Sequence, residues 1–300
     1  MIEILAPAKI NLYLHVLKKR TDGYHDIDSL VSFANIGDLI SVEESEDFYF
    51  HCDGPYANTF TALDRDSSAN SQNLVVKAAF SFAKLCGRSP NIRITLTKNI
   101  PLSSGLGGGS SDAAATLWAL HKLWDIPVVP SNLQDLMTRL GSDVPVCFFS
   151  QAARIKNKGE HITPIDIVEE CPAILVNPLK PCSTKDVFLN YDQTHTETSS
   201  DLLDLPHYFE TAEDMTTYLS KQTYNDLTDT AIKQVPDILE ILDCISHQKG
   251  CKFARMSGSG ASCFGLFQSN NEAQNAAESI LQDNNHWWTR AVSLGSLERY

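Results

Sequence analysis

Nowhere in the 300 residues do eighteen apolar residues run together, which excludes an ordinary membrane-spanning helix. Basic residues are in deficit: 24 Lys and Arg against 37 Asp and Glu leave a formal net charge of −13. Such a chain repels nucleic acid and anionic lipid, so neither is expected as a partner, and any nucleotide must be gripped locally. The eight cysteines are scattered without a C-x-x-C pair and sit mostly among apolar neighbours, as in Pro145-Val146-Cys147-Phe148. They read as reduced, packed thiols. No H-E-x-x-H occurs and the nine histidines do not gather near the cysteines, so a zinc site is not expected. There is no internal repeat. The opening Met1-Ile2-Glu3-Ile4 enters a strand pattern without the basic and apolar regions of a signal peptide, which predicts a cytoplasmic protein.

The length predicts two domains, and 43% hydrophobic content is enough to fill their cores. Residues 2–17 alternate, with Ile10, Leu12, Leu14 and Val16 on one face and Lys9, Asn11, Tyr13 and His15 on the other. Period two therefore places Lys9 beside Asn11. Arg20-Thr21-Asp22-Gly23 is a turn, Tyr24-His25 open a second strand, and Gly37-Asp38 turn into a third over 39–43. Leu74, Val75, Ala78, Ala79, Phe82 and Leu85 trace a helix ended by Gly87, followed by a strand over 92–97. Ser131 caps a helix ended by Gly141, and an apolar strand over 146–149 follows, with Asp143 at the corner. The first domain closes at residue 155. In the second, strand 171–176 leads to a short helix over 183–189 capped by Ser183. The acidic stretch 190–215 reads as a surface loop without chemistry. Asn225-Asp226-Leu227 begins a helix, 237–247 is another, 252–267 is strand, Ser257-Gly258-Ser259-Gly260 turn, strand, and helix 271–282 and strand 287–293 end the chain. The mixture predicts an α+β protein, 1–155 and 156–300, the second part a smaller α/β sandwich.

The stretch Ile100-Pro101-Leu102-Ser103-Ser104-Gly105-Leu106-Gly107-Gly108-Gly109-Ser110-Ser111-Asp112 carries four glycines and four serines ahead of an apolar run at helical spacing. A glycine-rich loop feeding a helix N-terminus offers free N–H groups and about half a positive charge to an anion. It is not a P-loop, because no lysine lies between Lys98 and Lys122. It is not a dinucleotide fingerprint either, since position 110, where the third glycine belongs, is serine. Polyphosphate remains the natural guest.

This stretch, with Pro7-Ala8-Lys9-Ile10-Asn11-Leu12 before it and Met256-Ser257-Gly258-Ser259-Gly260-Ala261 after it, resembles the three signature motifs of the GHMP small-molecule kinases. Asp22-Gly23-Tyr24-His25, Gly141-Ser142-Asp143-Val144-Pro145 and Asn225-Asp226-Leu227 resemble the branch that acts on a cytidine diphosphate-linked methylerythritol. The match is poor across 190–220, and Ser103-Ser104 stand where relatives often carry glycine.

The resemblance implies a mixed-sheet nucleotide-binding domain, a ferredoxin-like C-terminal domain, and ATP-dependent phosphorylation of a substrate hydroxyl in non-mevalonate isoprenoid precursor synthesis. Phosphoryl transfer is mostly positioning and charge stabilisation, so it needs a triphosphate cradle, Mg²⁺ and a group to take the hydroxyl proton. Pro101 to Ser111 (Pro101, Leu102, Ser103, Ser104, Gly105, Leu106, Gly107, Gly108, Gly109, Ser110, Ser111) are the cradle, with the Ser110 and Ser111 hydroxyls open to phosphate or Mg²⁺. Asp143 is the candidate base and Lys9 the cation that keeps it charged and offsets charge on the attacking oxygen. Taken singly, Asp143 is as well read as a turn aspartate and Lys9 as a strand lysine; the motifs decide. Asn11 is a candidate for the substrate hydroxyls, Tyr24 and His25 for a cytosine pocket, Phe188 for its far wall, and Thr184 for the substrate diphosphate. The alternatives are another kinase of the superfamily acting on homoserine, mevalonate or a sugar, a non-catalytic nucleotide-binding regulator, or a structural module. A monomer or weak homodimer is expected.

Overall fold

In the computed structural model, residues 1–126, 130–167, 171–194 and 203–297 are described. They fall into two compact units: Met1–Ala8, Ile36–Leu102 and Gly107–Phe149 form one, and Lys9–Asn35, Ser103–Leu106 and Ser150–Tyr300 the other. Strands β1 (Ile2–Lys19) and β2 (His25–Glu44) each contribute one part to each unit.

In the first unit, β2 pairs antiparallel with β4 (Ile92–Thr97), from Leu39 opposite Thr97 to Glu44 opposite Ile92, and β3 (Tyr49–Asp53) runs parallel to β4. Period two buries Ile40, Val42, Ile92, Ile94 and Leu96. Helix α1 (Leu74–Leu85) starts on Asn73, whose side chain accepts from the Val75 N–H. It packs on α2 (Gly108–Trp124), where the Phe82 and Trp124 rings stack with centroids 5.9 Å apart. Helices α3 (Pro130–Leu140) and α4 (Val144–Phe149) complete the unit. The side chain of Ser131, expected to cap α3, lies outside the described residues.

Two expectations fail here. Gly37-Asp38 is no turn, for β2 runs through it unbroken; a Cβ at Gly37 would land on the Ala6 backbone carbonyl, so the glycine marks a close approach of β1. The strand expected over 146–149 is the helix α4. A short apolar run fits a buried helix as well as a strand, and Pro145 sits in the first turn, where no intrahelical N–H is needed. Trp118 of α2 holds this helix, donating from Nε1 to the Phe148 carbonyl at 2.7 Å and stacking on its ring.

In the second unit, β5 (Ala153–Asn157) pairs antiparallel with β2, Ile27 opposite Asn157, and makes a hairpin with β6 (His161–Pro164). After them come β7 (Cys171–Asn177), α5 (Thr184–Thr194), α6 (Ala212–Gln222), α7 (Thr228–Gln234), α8 (Asp237–Ser246), β8 (Cys251–Met256), β9 (Cys263–Phe267), α9 (Asn270–Asp283) and β10 (Trp288–Gly295). The sheet order is β2-β10-β7-β9-β8, antiparallel throughout. Ile238, Ile241 and Ile245 of α8 and Ala273, Ala277 and Ile280 of α9 bury one core with Ile174 and Val176 of β7. Helices against a sheet make this the α+β arrangement expected.

The acidic stretch from 190 is not one loop: α5 continues to Thr194 and α6 starts at Ala212, while 195–202 lie outside the described residues. Val187 and Tyr191, at helical spacing and both buried, carry α5 past its expected end at 189. All eight cysteines are free thiols. No described helix is long and apolar enough to cross a membrane.

Candidate active site

In the second unit, the glycine loop from Ser103 to Leu106 is clamped between β1 and the 257–262 turn. The Lys9 N–H donates to the Leu106 carbonyl at 2.9 Å and the Ser262 N–H to the Ser104 carbonyl at 3.0 Å. Ser257 Oγ accepts from the Asn11 N–H at 3.0 Å and donates to the Gly105 carbonyl at 3.2 Å. Gly105 has φ +76°, and a Cβ there would sit 2.6 Å from the Gly260 carbonyl oxygen, so only glycine fits. Asn225, noted in the sequence as a helix start, donates from Nδ2 to the Met256 and Gly258 carbonyls at 2.9 and 2.8 Å and so braces the turn.

Lys9 and Asn11 lie side by side as period two required, with Lys9 Nζ donating to Asn11 Oδ1 at 2.9 Å. Both are buried. Asn11 Nδ2 donates in turn to Ser29 Oγ at 2.8 Å.

Helix α5 brings Phe188 to His25, ring centroids 5.4 Å apart and near parallel. Tyr191 meets the same imidazole edge-on, and Asp192 Oδ1 lies 2.8 Å from its Nε2. Residues 188, 191 and 192 are one helix face turned to one histidine. Asp192 also accepts from Lys19 Nζ at 2.6 Å, and that ammonium and His25 hold its carboxyl below the usual range against burial, which pushes the other way. Tyr24 is exposed, with Lys158 Nζ 4.3 Å from its ring centroid. Thr184, at the start of α5, shares a 2.7 Å hydrogen bond with Ser259 of the turn.

In the first unit, Gly107 has φ +64° and heads α2 with no side-chain cap. The first intrahelical bond runs from the Ser111 N–H to the Gly107 carbonyl at 2.9 Å, so the N–H groups of Gly108, Gly109 and Ser110 are the helix's open donors. Ser111 is fully buried, and its hydroxyl donates to the Pro7 carbonyl at 2.8 Å. Ser110 is half-buried, and a Cβ on Gly141 would sit 3.8 Å from its Oγ. The turn that carries Asp143 therefore abuts the first turn of α2. Asp143 is half-buried at the head of α4, its carbonyl accepting from the Cys147 N–H at 3.0 Å.

A buried cluster stands behind the start of α2. Lys98 Nζ donates to Asp38 Oδ2 and, at 2.9 Å, to Asp112 Oδ2. Asp38 Oδ1 accepts from the Asn99 and Ile100 N–H groups at 2.6 and 2.8 Å, fixing the chain that leads into the loop. A Cβ on Gly108 would meet Lys98 Nζ at 3.1 Å. Burial opposes the Lys98 charge, but Asp112 and Asp38 outweigh it and hold its pKa above the ordinary value. Burial pushes the Asp112 carboxyl well up. The sequence reading passed over Lys98, Asp38, Asp112, Ser29 and Asp192. For Asp38 and Asp192 the assignments to a turn and a loop hid them; Asp112, in the motif itself, could have been found.

The residues 73–151 match the family described as the GHMP kinases N terminal domain, and 210–286 the GHMP kinases C terminal. The chain is 38% identical over 301 residues to a protein of Roseobacter denitrificans named 4-diphosphocytidyl-2-C-methyl-D-erythritol kinase, covering 99% of this chain and 94% of that one. It is 42% identical over 289 residues to the protein of the same name from Ruegeria pomeroyi, covering 96% and 97%. Among solved structures it is similar to a 4-(cytidine 5'-diphospho)-2C-methyl-D-erythritol kinase, with TM-score 0.77, 30% identity and coverage of 98% and 99%. A mevalonate kinase at TM-score 0.69 and 12% identity, covering 99% and 100%, shares the fold alone.

Proposed function

The chain belongs to the 4-diphosphocytidyl-2-C-methyl-D-erythritol kinases, and from that membership we propose that it transfers the γ-phosphoryl group of ATP to the 2-hydroxyl of that substrate. The observation that carries this reading is the open first turn of α2: three N–H groups, those of Gly108, Gly109 and Ser110, at a positive helix end with no capping side chain. They grip the terminal phosphates, with Pro101 to Leu106 leading into them. Asp143 accepts the hydroxyl proton as transfer proceeds, and Lys9 offsets the charge on the attacking oxygen. Asn11 orients the substrate hydroxyls. The face of Tyr24 and the His25–Phe188 pair receive the cytosine, and Thr184, tied to Ser259, contacts the diphosphate.

Mg²⁺, when bound, neutralises charge on the β- and γ-phosphates. Held by those phosphates and water, it would need few protein ligands, and a serine hydroxyl at the head of α2 could supply one. Ser111 is fully buried with its hydroxyl hydrogen on Pro7, so of the two serines at the head of α2 the half-buried Ser110 is the one placed to meet phosphate or metal.

The test is ADP release with 4-diphosphocytidyl-methylerythritol set against mevalonate and homoserine. Turnover is expected with the first alone, falling about 10²- to 10⁴-fold in Asp143→Asn. Near-normal turnover of Asp143→Asn would show that the base is another residue.

A further inference from the structure

The geometry points to Ser29 as a positioning residue that aims the Lys9 ammonium through Asn11. The inference rests on reading Lys9 as the cation of the transfer step. A serine hydroxyl has one hydrogen, and Ser29 gives it to the Tyr13 backbone carbonyl. Toward Asn11, 2.8 Å away, Ser29 Oγ can then only accept, so the Asn11 atom facing it has to be the NH₂ group. The amide oxygen is thereby turned to the other side. There it meets Lys9 Nζ at 2.9 Å, and an ammonium can only donate.

The hydrogen bonds run one way, from Lys9 to Asn11 to Ser29 to Tyr13. Flipping the Asn11 amide would set its NH₂ against the ammonium and its oxygen against a hydroxyl with no hydrogen left to give, losing two bonds at once. Lys9 is 4%, Asn11 2% and Ser29 0% exposed, so water has little access to repair the loss. The backbone beneath the amide is fixed as well, the Asn11 N–H donating to Ser257 Oγ at 3.0 Å. A serine present only to fill space beside β1 would impose no such direction.

Steady-state kinetics of the full chain separate these roles. Ser29→Ala is expected to lower kcat about ten- to a hundredfold, as losing the outer partner of a metal-binding side chain does, with KM for ATP within about twofold. Ser29→Thr, which keeps the hydroxyl, should restore most of the loss. In an Asn11→Ala background Ser29→Ala should cost nothing further, since its effect passes through that amide. A kcat within twofold of the parent in Ser29→Ala, or an equal fall with and without Asn11, would overturn the inference. If Ser29→Ala does not fold, Ser29→Cys, of nearly the same volume with a much weaker donor and acceptor, carries the same comparison. Lys9→Met is measured alongside. Its retention of normal turnover would remove the role of Lys9 itself and Ser29 with it, whereas an inactive Lys9→Met beside a normal Ser29→Ala would remove Ser29 alone.

Discussion

Each unit buries an ion cluster, and the two are balanced differently. In the second, Arg154 faces Asp28 through Nε and Nη2 at 2.8 and 2.6 Å, and the Tyr13 hydroxyl donates to the same carboxylate at 3.0 Å. One cation meets one anion, bidentate, and Arg154 further donates to the Leu203 carbonyl at 2.8 Å. In the first, the single ammonium of Lys98 meets two carboxylates, and Asp112 Oδ1 has no hydrogen-bond partner. Full ionisation would leave a surplus negative charge beside Gly108, the position proposed above to meet a phosphate. Asp38 has three donors and Asp112 only one, so the proton that removes the surplus belongs on Asp112. The first cluster thus holds the loop's lead-in with no net charge of its own.

Removing one carboxylate from each cluster breaks the comparison most sharply. Asp28→Ala leaves Arg154 buried without an anion and should cost about 3–5 kcal/mol in urea unfolding. Asp38→Ala leaves Lys98 a second carboxylate that ionises in its place, so the cost should be the smaller one of unpaired N–H groups at Asn99 and Ile100, about 1–3 kcal/mol. KM for ATP should rise about tenfold in Asp38→Ala, where the lead-in to the loop loosens, and hold steady in Asp28→Ala. Equal unfolding costs would mean that Asp112 cannot take over.

A milder probe lies at the edge of the second cluster. His15 is buried, stacks on Tyr224 with centroids 4.1 Å apart, and accepts the Tyr224 N–H at Nε2. Burial holds its pKa below the ordinary value, with Arg255 and Arg154 pushing the same way and Asp28 opposing. The unfolded chain therefore binds a proton first as pH falls, so this contribution is whole above the ordinary histidine pKa and is lost as pH drops through the folded one. Stability should decline below about pH 6.5 by at most about 1.4 kcal/mol per pH unit, and His15→Gln should flatten that part of the curve. An unchanged slope in the variant would assign the acid sensitivity elsewhere.

The glycine loop, the helix start behind it and the Lys9–Asn11 pair were legible because they are local: four glycines and a helix start are adjacent in the chain, and so are Lys9 and Asn11 at period two. The clusters were not legible, because their members meet only through pairing. Asp38 stands 60 residues from Lys98 along the chain and Asp28 stands 126 from Arg154. Gly37 misled for a related reason: a glycine that admits a neighbouring backbone looks, in sequence, like a glycine that turns. Helix α4 was missed because six residues carry too little periodicity to separate helix from strand. Asp192 was set aside with the acidic stretch around it, although Phe188, Tyr191 and Asp192 share one helix face.

The smallest effect is expected from Asp112→Asn, and it is the most direct test of where the proton sits. A neutral amide has nearly the shape of the protonated acid, its oxygen can still accept from Lys98, and its NH₂ can occupy the place of Oδ1. If Asp112 already carries the proton, the substitution changes no charge and should shift stability by no more than about 1 kcal/mol, with KM for ATP unaltered. If instead Asp112 is ionised and Lys98 depends on both anions, the same change takes a buried charge out of a fixed pair, and a loss nearer about 3 kcal/mol should follow. Urea unfolding of Asp112→Asn beside Asp38→Asn distinguishes the two: the amide should be tolerated at 112 and rejected at 38, where the carboxylate accepts from two backbone N–H groups as well as from Lys98.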